Sequence, residues 1–205
     1  MSFRARVVAQ FKRPTGWPGA LVGRIMARRP SNRLRNSWTI DQLDIRPTDR
    51  VLEIGFGPGL ALAWAAEKAT AGRVVGLDHS PVMRAQAAKR NRDAIAAGRM
   101  ELHEGGLEAL ARIPGSFDRI FSANVVQFWD DPEAAFRLLK DRLAPGGRIA
   151  TTFMPRNPGA GRAEAMAMAE RLEGWMKAAG FKAPRRAMLD LEPAPAVCVL
   201  GEAPL

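Results

Sequence analysis

Glu53, Gly55, Gly57, Gly59 and Asp78 have the residue types and spacing to hold a charged, nucleotide-like ligand. Val51-Leu52-Glu53-Ile54 is a short apolar run with an acid near its end. Gly55-Phe56-Gly57-Pro58-Gly59 then sets three glycines at alternate positions, and the alanine-rich segment Leu60–Lys68 follows. This order reads as a buried strand, a tight turn and a helix start, with Pro58 near the first helical position, where its missing N–H costs nothing. Alternating glycines permit positive φ and close approach of backbone to ligand. Asp78 ends a second apolar run 19 residues after Gly59. A carboxylate there can accept both hydroxyl protons of a ribose. The loop is not a dinucleotide fingerprint, because Leu60 stands where G-x-G-x-x-G needs its third glycine. A G-x-x-x-x-G-K-[ST] phosphate loop is absent as well. Glu53 would repel a pyrophosphate but could pair with a cationic amine.

Val51–Gly59 resembles motif I of the class I S-adenosylmethionine-dependent methyltransferases. Asp78-His79-Ser80-Pro81-Val82-Met83 resembles that family's D-x-S-x-x-M pattern, whose Met packs on the adenine ring. The same residues also read as a helix start, with Ser80 as N-cap, Pro81 first in the helix and Met83 in the core. Both readings can hold together. His79 is expected to face the adenosine. Glu104-Gly105-Gly106-Leu107-Glu108-Ala109-Leu110 takes the place of the family's G-D-A-x-x-L turn, with Gly106 where the family has an Asp for the adenine amino group. The backbone groups of Gly106 and Leu107 are the expected replacements.

Phe117–Trp129 resembles the family's fourth-strand motif, whose last residues line the transfer site. Asn124 can donate and accept, which suits the cofactor's amino-acid moiety or the acceptor. Gln127, Phe128 and Trp129 are then substrate-proximal or core. Asn124-Val125-Val126-Gln127 is not the Asn/Asp-Pro-Pro-Tyr/Phe of amino-group methylators of adenine or glutamine. Cys198, the single cysteine, is not in a Pro-Cys context, which disfavours cytosine methylation. No His, Cys and acid cluster has metal-ligand spacing, so no metal is expected. The resemblance implies S-adenosylmethionine as cofactor and S-adenosylhomocysteine as product. It also implies methyl transfer to an O, N or C atom of a small acceptor, anionic or aromatic. No catalytic base is assigned.

The elements that must position these residues alternate as strand and helix, the signature of a parallel sheet covered on both faces. Strands are expected at Arg50–Ile54, Arg73–Asp78, Met100–Glu104, Phe117–Ala123 and Gly147–Phe153. Helices are expected at Pro58–Ala69, Pro81–Ala97, Leu107–Arg112, Pro132–Leu143 and Gly161–Ala179. Arg186–Leu191 and Ala196–Gly201, parted by Pro193 and Pro195, suit an antiparallel hairpin. The fold class is therefore α/β. The resemblance adds a Rossmann-like three-layer sandwich with a mostly parallel seven-stranded sheet in the order 3-2-1-4-5-7-6.

The chain has 205 residues, nearly half of them apolar, and no run approaches a membrane span. The cytoplasm is the default compartment. Of the net charge of +10, nearly all lies in residues 1–36, which hold nine Arg and Lys and no acid. Residues 1–37 are read as a basic cap or lid and residues 38–205 as the cofactor-binding domain. Trp17 and Trp38 offer flat walls for an acceptor, or core packing, and Arg33 and Arg35 could meet a carboxylate or phosphate. Two other readings stay open. One is an RNA or DNA methyltransferase that uses the basic segment. The other is a protein that binds the cofactor without turning it over.

Overall fold

The computed structural model describes residues 29–157 and 159–205. Seven strands, β1 (Arg50–Ile54), β2 (Arg73–Asp78), β3 (Met100–Glu104), β4 (Phe117–Ala123), β5 (Leu143–Phe153), β6 (Lys182–Leu189) and β7 (Ala196–Glu202), form one sheet. Their order is β3-β2-β1-β4-β5-β7-β6. The first five strands run parallel and β7 is antiparallel to both β5 and β6, as the sequence pattern and the resemblance led us to expect.

Alternation along the strands sorts the core into two layers. Leu52, Ile54, Val75, Leu77, Ile120, Ile149 and Val199 face one side, where α5 (Pro132–Asp141) and α6 (Arg162–Ala178) contribute Phe136, Leu139, Ala169 and Leu172. Val51, Val74, Phe121, Ala150 and Cys198 face the other side, where α1 (Pro30–Gln42), α2 (Leu60–Lys68) and α3 (Pro81–Arg90) contribute Ile40, Leu62, Ala65 and Ala87. A period of two on central strands with both faces buried is what a covered parallel sheet requires.

Several boundaries differ from the sequence reading. Helix α1 opens with Pro30 at its first position and runs through Trp38, so a domain boundary at 37/38 falls inside a helix. Its buried face, Asn32, Arg35, Thr39 and Ile40, is mostly polar, and that hides the helical period from a hydrophobicity pattern. The expected Pro81–Ala97 helix breaks at Asn91 into α3 and a short α4 (Arg92–Ala96). There the Asn91 side chain turns back to donate to the carbonyls of Ala87 and Gly59, at 2.9 and 3.0 Å. Leu107–Arg112 is a 3-10 helix, and β6 starts at Lys182.

Two contacts seat α1 on the sheet. The Thr39 and Thr152 hydroxyls meet at 2.7 Å, and Thr39 also donates to the Arg35 carbonyl at 2.8 Å. One turn further on, at the C-cap, buried Arg119 on β4 donates through Nε to the Leu43 carbonyl at 2.9 Å. That contact satisfies a carbonyl that no further helical turn can reach. Leu52 is wholly buried on the central strand β1. Leu52→Ala should cost about 2–5 kcal/mol of unfolding free energy in urea titration, and a loss below about 1 kcal/mol would show the layer is not packed as described.

Candidate functional site

The carboxyl ends of β1, β2 and β4 carry the candidate cofactor cradle. Asp78 closes β2 and is 6% exposed. Its Oδ2 accepts the Gly57 N–H at 2.8 Å and its Oδ1 accepts the Ser80 N–H at 2.9 Å. One carboxylate thus pins the glycine loop and starts α3, where the Ser80 hydroxyl caps the Met83 N–H at 3.3 Å. An ionised carboxylate has about four acceptor positions, so two stay available for a diol. Burial raises the Asp78 pKa, against the pull of the two N–H groups and of His79. His79 Nδ1 lies 3.7 Å from Asp78 Oδ1, with its side chain 42% exposed on the rim.

The three loop glycines have three different reasons. A Cβ on Gly55 would lie 2.4 Å from Val125 Cγ2, so this glycine lets the β4 loop close over β1. A Cβ on Gly59 would lie 2.6 Å from Ala87 Cβ, and Gly59 gives its carbonyl to Asn91. Gly59 therefore lets α2 pack closely on α3. Gly57, at φ +51°, has nothing within 4 Å of its added Cβ among the described residues. Open space above a left-handed glycine, beside a carboxylate with spare lone pairs, fits an adenosine cofactor at this loop.

Glu53 is 3% exposed, with Oε2 buried and without a hydrogen-bond partner. Burial and then the Asp78 carboxyl raise its pKa well above the ordinary glutamate value, while Arg35 and a hydrogen bond from the Leu62 N–H oppose them.

Other expected residues are placed differently. Met83 is 2% exposed in the apolar cluster with Phe56, Leu62 and Ala87, so its side chain packs α3 onto the sheet instead of lining the open rim. Asn124, at φ +57°, is occupied by main chain: its Nδ2 donates to the Met154 carbonyl and its Oδ1 accepts the Met154 N–H, both at 2.8 Å. The short amide side chain holds the ends of β4 and β5 together. The Gly106 N–H is taken by Glu108 Oε1 at 2.9 Å, so it is not free for adenine, and Leu107 packs on the core.

Of the substrate-proximal candidates, Trp38 is half-buried against the α1–α2 core layer. Trp129 packs edge-on to Phe136 at 5.4 Å, so both tryptophans are packing residues, because an aromatic ring at a layer edge finds apolar cover there. Gln127 is exposed and donates to the Asn124 carbonyl at 2.9 Å, and Phe128 beside it is half-buried. Trp17 lies outside the described residues. Arg33 stacks 5.6 Å over Trp64 on the outer surface, away from the loop.

Arg35 is 5% exposed, and burial lowers its pKa to about 9, with Arg156 adding to the fall and Glu53 opposing it. Sequence reasoning found Arg35 but missed Glu108 and Arg156. Glu108 folds its carboxyl back until Oε2 lies 2.4 Å from where a Gly106 Cβ would be. An acid two residues after the expected one was the available signal. Arg156 follows β5 with nothing in its local pattern to mark it.

An α/β sheet with a glycine loop, an orphaned acid and a ribose-type carboxylate at the ends of β1 and β2 defines a nucleoside-binding methyltransferase fold. A methyltransferase-domain family model matches residues 52–151. The uncharacterized methyltransferase YdaC of Bacillus subtilis (strain 168) is 30% identical over 185 residues, covering 90% of this chain and 98% of that protein. Among solved structures, the N-methyltransferase NodS of Bradyrhizobium japonicum WM9 with S-adenosylhomocysteine superposes with TM-score 0.69 at 17% identity. That match covers 87% of this chain and 90% of NodS. A chain of the Haloferax volcanii complex of the Trm112 methyltransferase activator matches with TM-score 0.71 at 16% identity, covering 91% and 96%. The chain belongs to the class I S-adenosylmethionine-dependent methyltransferases, and S-adenosylmethionine is its cofactor.

Two sets of variants check this geometry. Asp78→Ala should weaken S-adenosylhomocysteine binding by about 1.5–3 kcal/mol in calorimetry, and Gly57→Val should weaken it further by filling the open space. Unchanged affinity in both would remove the site from this loop. For Glu53, a folded pKa above the unfolded one stabilises the fold at low pH, and that contribution is lost as pH rises through the folded value. Glu53→Gln should therefore flatten the fall in melting temperature as pH rises above the ordinary glutamate range. Parallel pH curves for wild type and variant would contradict the buried, proton-holding acid.

Proposed function

We propose that this chain transfers the methyl group of S-adenosylmethionine to an O, N or C nucleophile of a small-molecule acceptor. The observation that carries the reading is the Asp78 carboxylate, which fixes the glycine loop through Gly57 while keeping acceptor positions free beside open space. The bound cofactor supplies an already activated methyl on a sulfonium. The chain's part is to hold the donor in one orientation and keep water from the transfer line. Asp78 would grip the ribose, Glu53 would receive the amino group, and the Gly55–Val125 contact closes the floor between them. Asn124 would act by positioning: it joins the exits of β4 and β5, where an acceptor must enter.

Glu108 is our candidate for the adenine amino group, since its carboxyl occupies the space a longer side chain at Gly106 would use. Binding of S-inosylhomocysteine, which lacks that amino group, should be weaker than S-adenosylhomocysteine by about 1–2 kcal/mol in the wild type. Glu108→Gln should shrink the gap between the two ligands. An undiminished gap would place adenine recognition elsewhere.

The reaction itself is tested by supplying methyl-labelled S-adenosylmethionine with a panel of small carboxylates, phenols and amines and following label transfer. Transfer to RNA alone, lost on deleting residues 1–28, would favour the nucleic-acid reading. Tight cofactor binding with no transfer to any of these would favour a non-catalytic binding protein.

A further inference from the structure

Beside the cofactor loop, the first turns of α1 and the segment leaving β5 bring two guanidinium groups onto one amide oxygen. Arg35 Nη1 donates to Asn32 Oδ1 at 3.1 Å, and Arg156 Nη2 donates to the same atom. Arg35 Nη2 also donates to Asn36 Oδ1 at 3.2 Å, and Arg156 Nη1 to Ser31 Oγ at 3.3 Å. Every one of these acceptors is neutral. The arrangement is held by the Thr39–Thr152 hydroxyl contact, which seats α1 on the end of β5. It is held from the other side by the Asn124–Met154 pair, two residues before Arg156.

The site lacks negative charge. Arg35 Nε is buried and has no hydrogen-bond partner among the described residues. Among the described residues, neither Arg35 nor Arg156 is in a salt bridge, and Arg29 adds a further repulsive charge at Arg156. Glu53 is the acid nearest in effect to Arg35, and its environment favours the protonated form. Like charges brought together without a counter-ion are costly, and an oxyanion taking bidentate bonds from a guanidinium fork removes that cost.

We infer that Arg35 and Arg156 form a receptor for an oxyanion, a carboxylate or phosphate, carried by the methyl acceptor. The inference rests on the methyltransferase reading and adds a substrate class to it. Arg156 follows β5, three strand spacings or about 14 Å across the sheet from β2, which carries Asp78. This favours the acceptor over the cofactor as the source of the anion, and the experiment separates it from the cofactor's own carboxylate. Arg156 is the exposed lip of the receptor and Arg35 its buried floor. An acceptor anchored there would present its nucleophile toward the ends of β1 and β4.

The test uses the full-length chain with S-adenosylhomocysteine bound and acetate, malonate or inorganic phosphate as probes, against chloride at constant ionic strength. At least one oxyanion should raise the melting temperature saturably, and which one does so separates carboxylate from phosphate. Arg156→Gln, at an exposed position that spares the fold, should weaken that response about tenfold or more while leaving S-adenosylhomocysteine affinity within about twofold. Equal responses in wild type and variant would overturn the inference. Weaker binding of S-adenosylhomocysteine by Arg156→Gln, with methylthioadenosine unaffected, would also overturn it, because the cofactor's own carboxylate would then fill the receptor. Failure of the wild type to bind S-adenosylhomocysteine at all would instead strike the cofactor reading, and this inference with it.

Discussion

The Asp78 carboxylate is the contact on which the rest of the site depends. It takes one N–H from the loop after β1 and another from the start of α3. Without it, the Gly57 backbone in a left-handed conformation would have no partner for its donor, and the loop would have no reason to stay open. A buried carboxylate that accepts backbone donors is stable only because those donors offset its desolvation. The shape of the loop and the start of α3 therefore come from a single side chain.

How much of this could be read from sequence depends on the kind of signal. β1, β2, β3 and β4 are legible to the residue: β1 and β2 are largely apolar runs, while β3 and β4 mix apolar and polar residues and are marked by the glycine and proline breakers that flank them. The Gly-rich loop and Asp78 are legible because backbone strain and ribose chemistry restrict the residue types allowed. Helix α1 is not legible at its start, because its buried face carries Asn32, Arg35 and Thr39 in place of apolar residues. Met83 and Asn124 show a second limit. Each sits where a family pattern expects a ligand contact, but packing claims the first and the ends of two strands claim the second. Arg156 shows a third, since its partners Ser31 and Asn32 are more than 120 positions away and no local pattern records such a meeting.

Charge is distributed across the site in a consistent order. Acids lie toward β1 and β2, where Glu53 and Asp78 are both held toward protonation by burial. Arginines lie toward α1 and the exit of β5, where Arg35 and Arg156 are both held toward losing their protons. Each half is destabilised by its own burial, and neither neutralises the other through a direct ion pair.

The amide of Asn124 imitates a peptide group. By giving and taking a hydrogen bond with Met154 it adds one more rung to the β4–β5 ladder after the regular strands have ended. The next residue, Val125, lies against the backbone of Gly55. The exit of β5 is thereby geared to the first glycine of the donor loop through three consecutive contacts. A shift of the chain leading to Arg156 would be transmitted to the donor loop as a rigid movement, so the two halves of the site are mechanically one part.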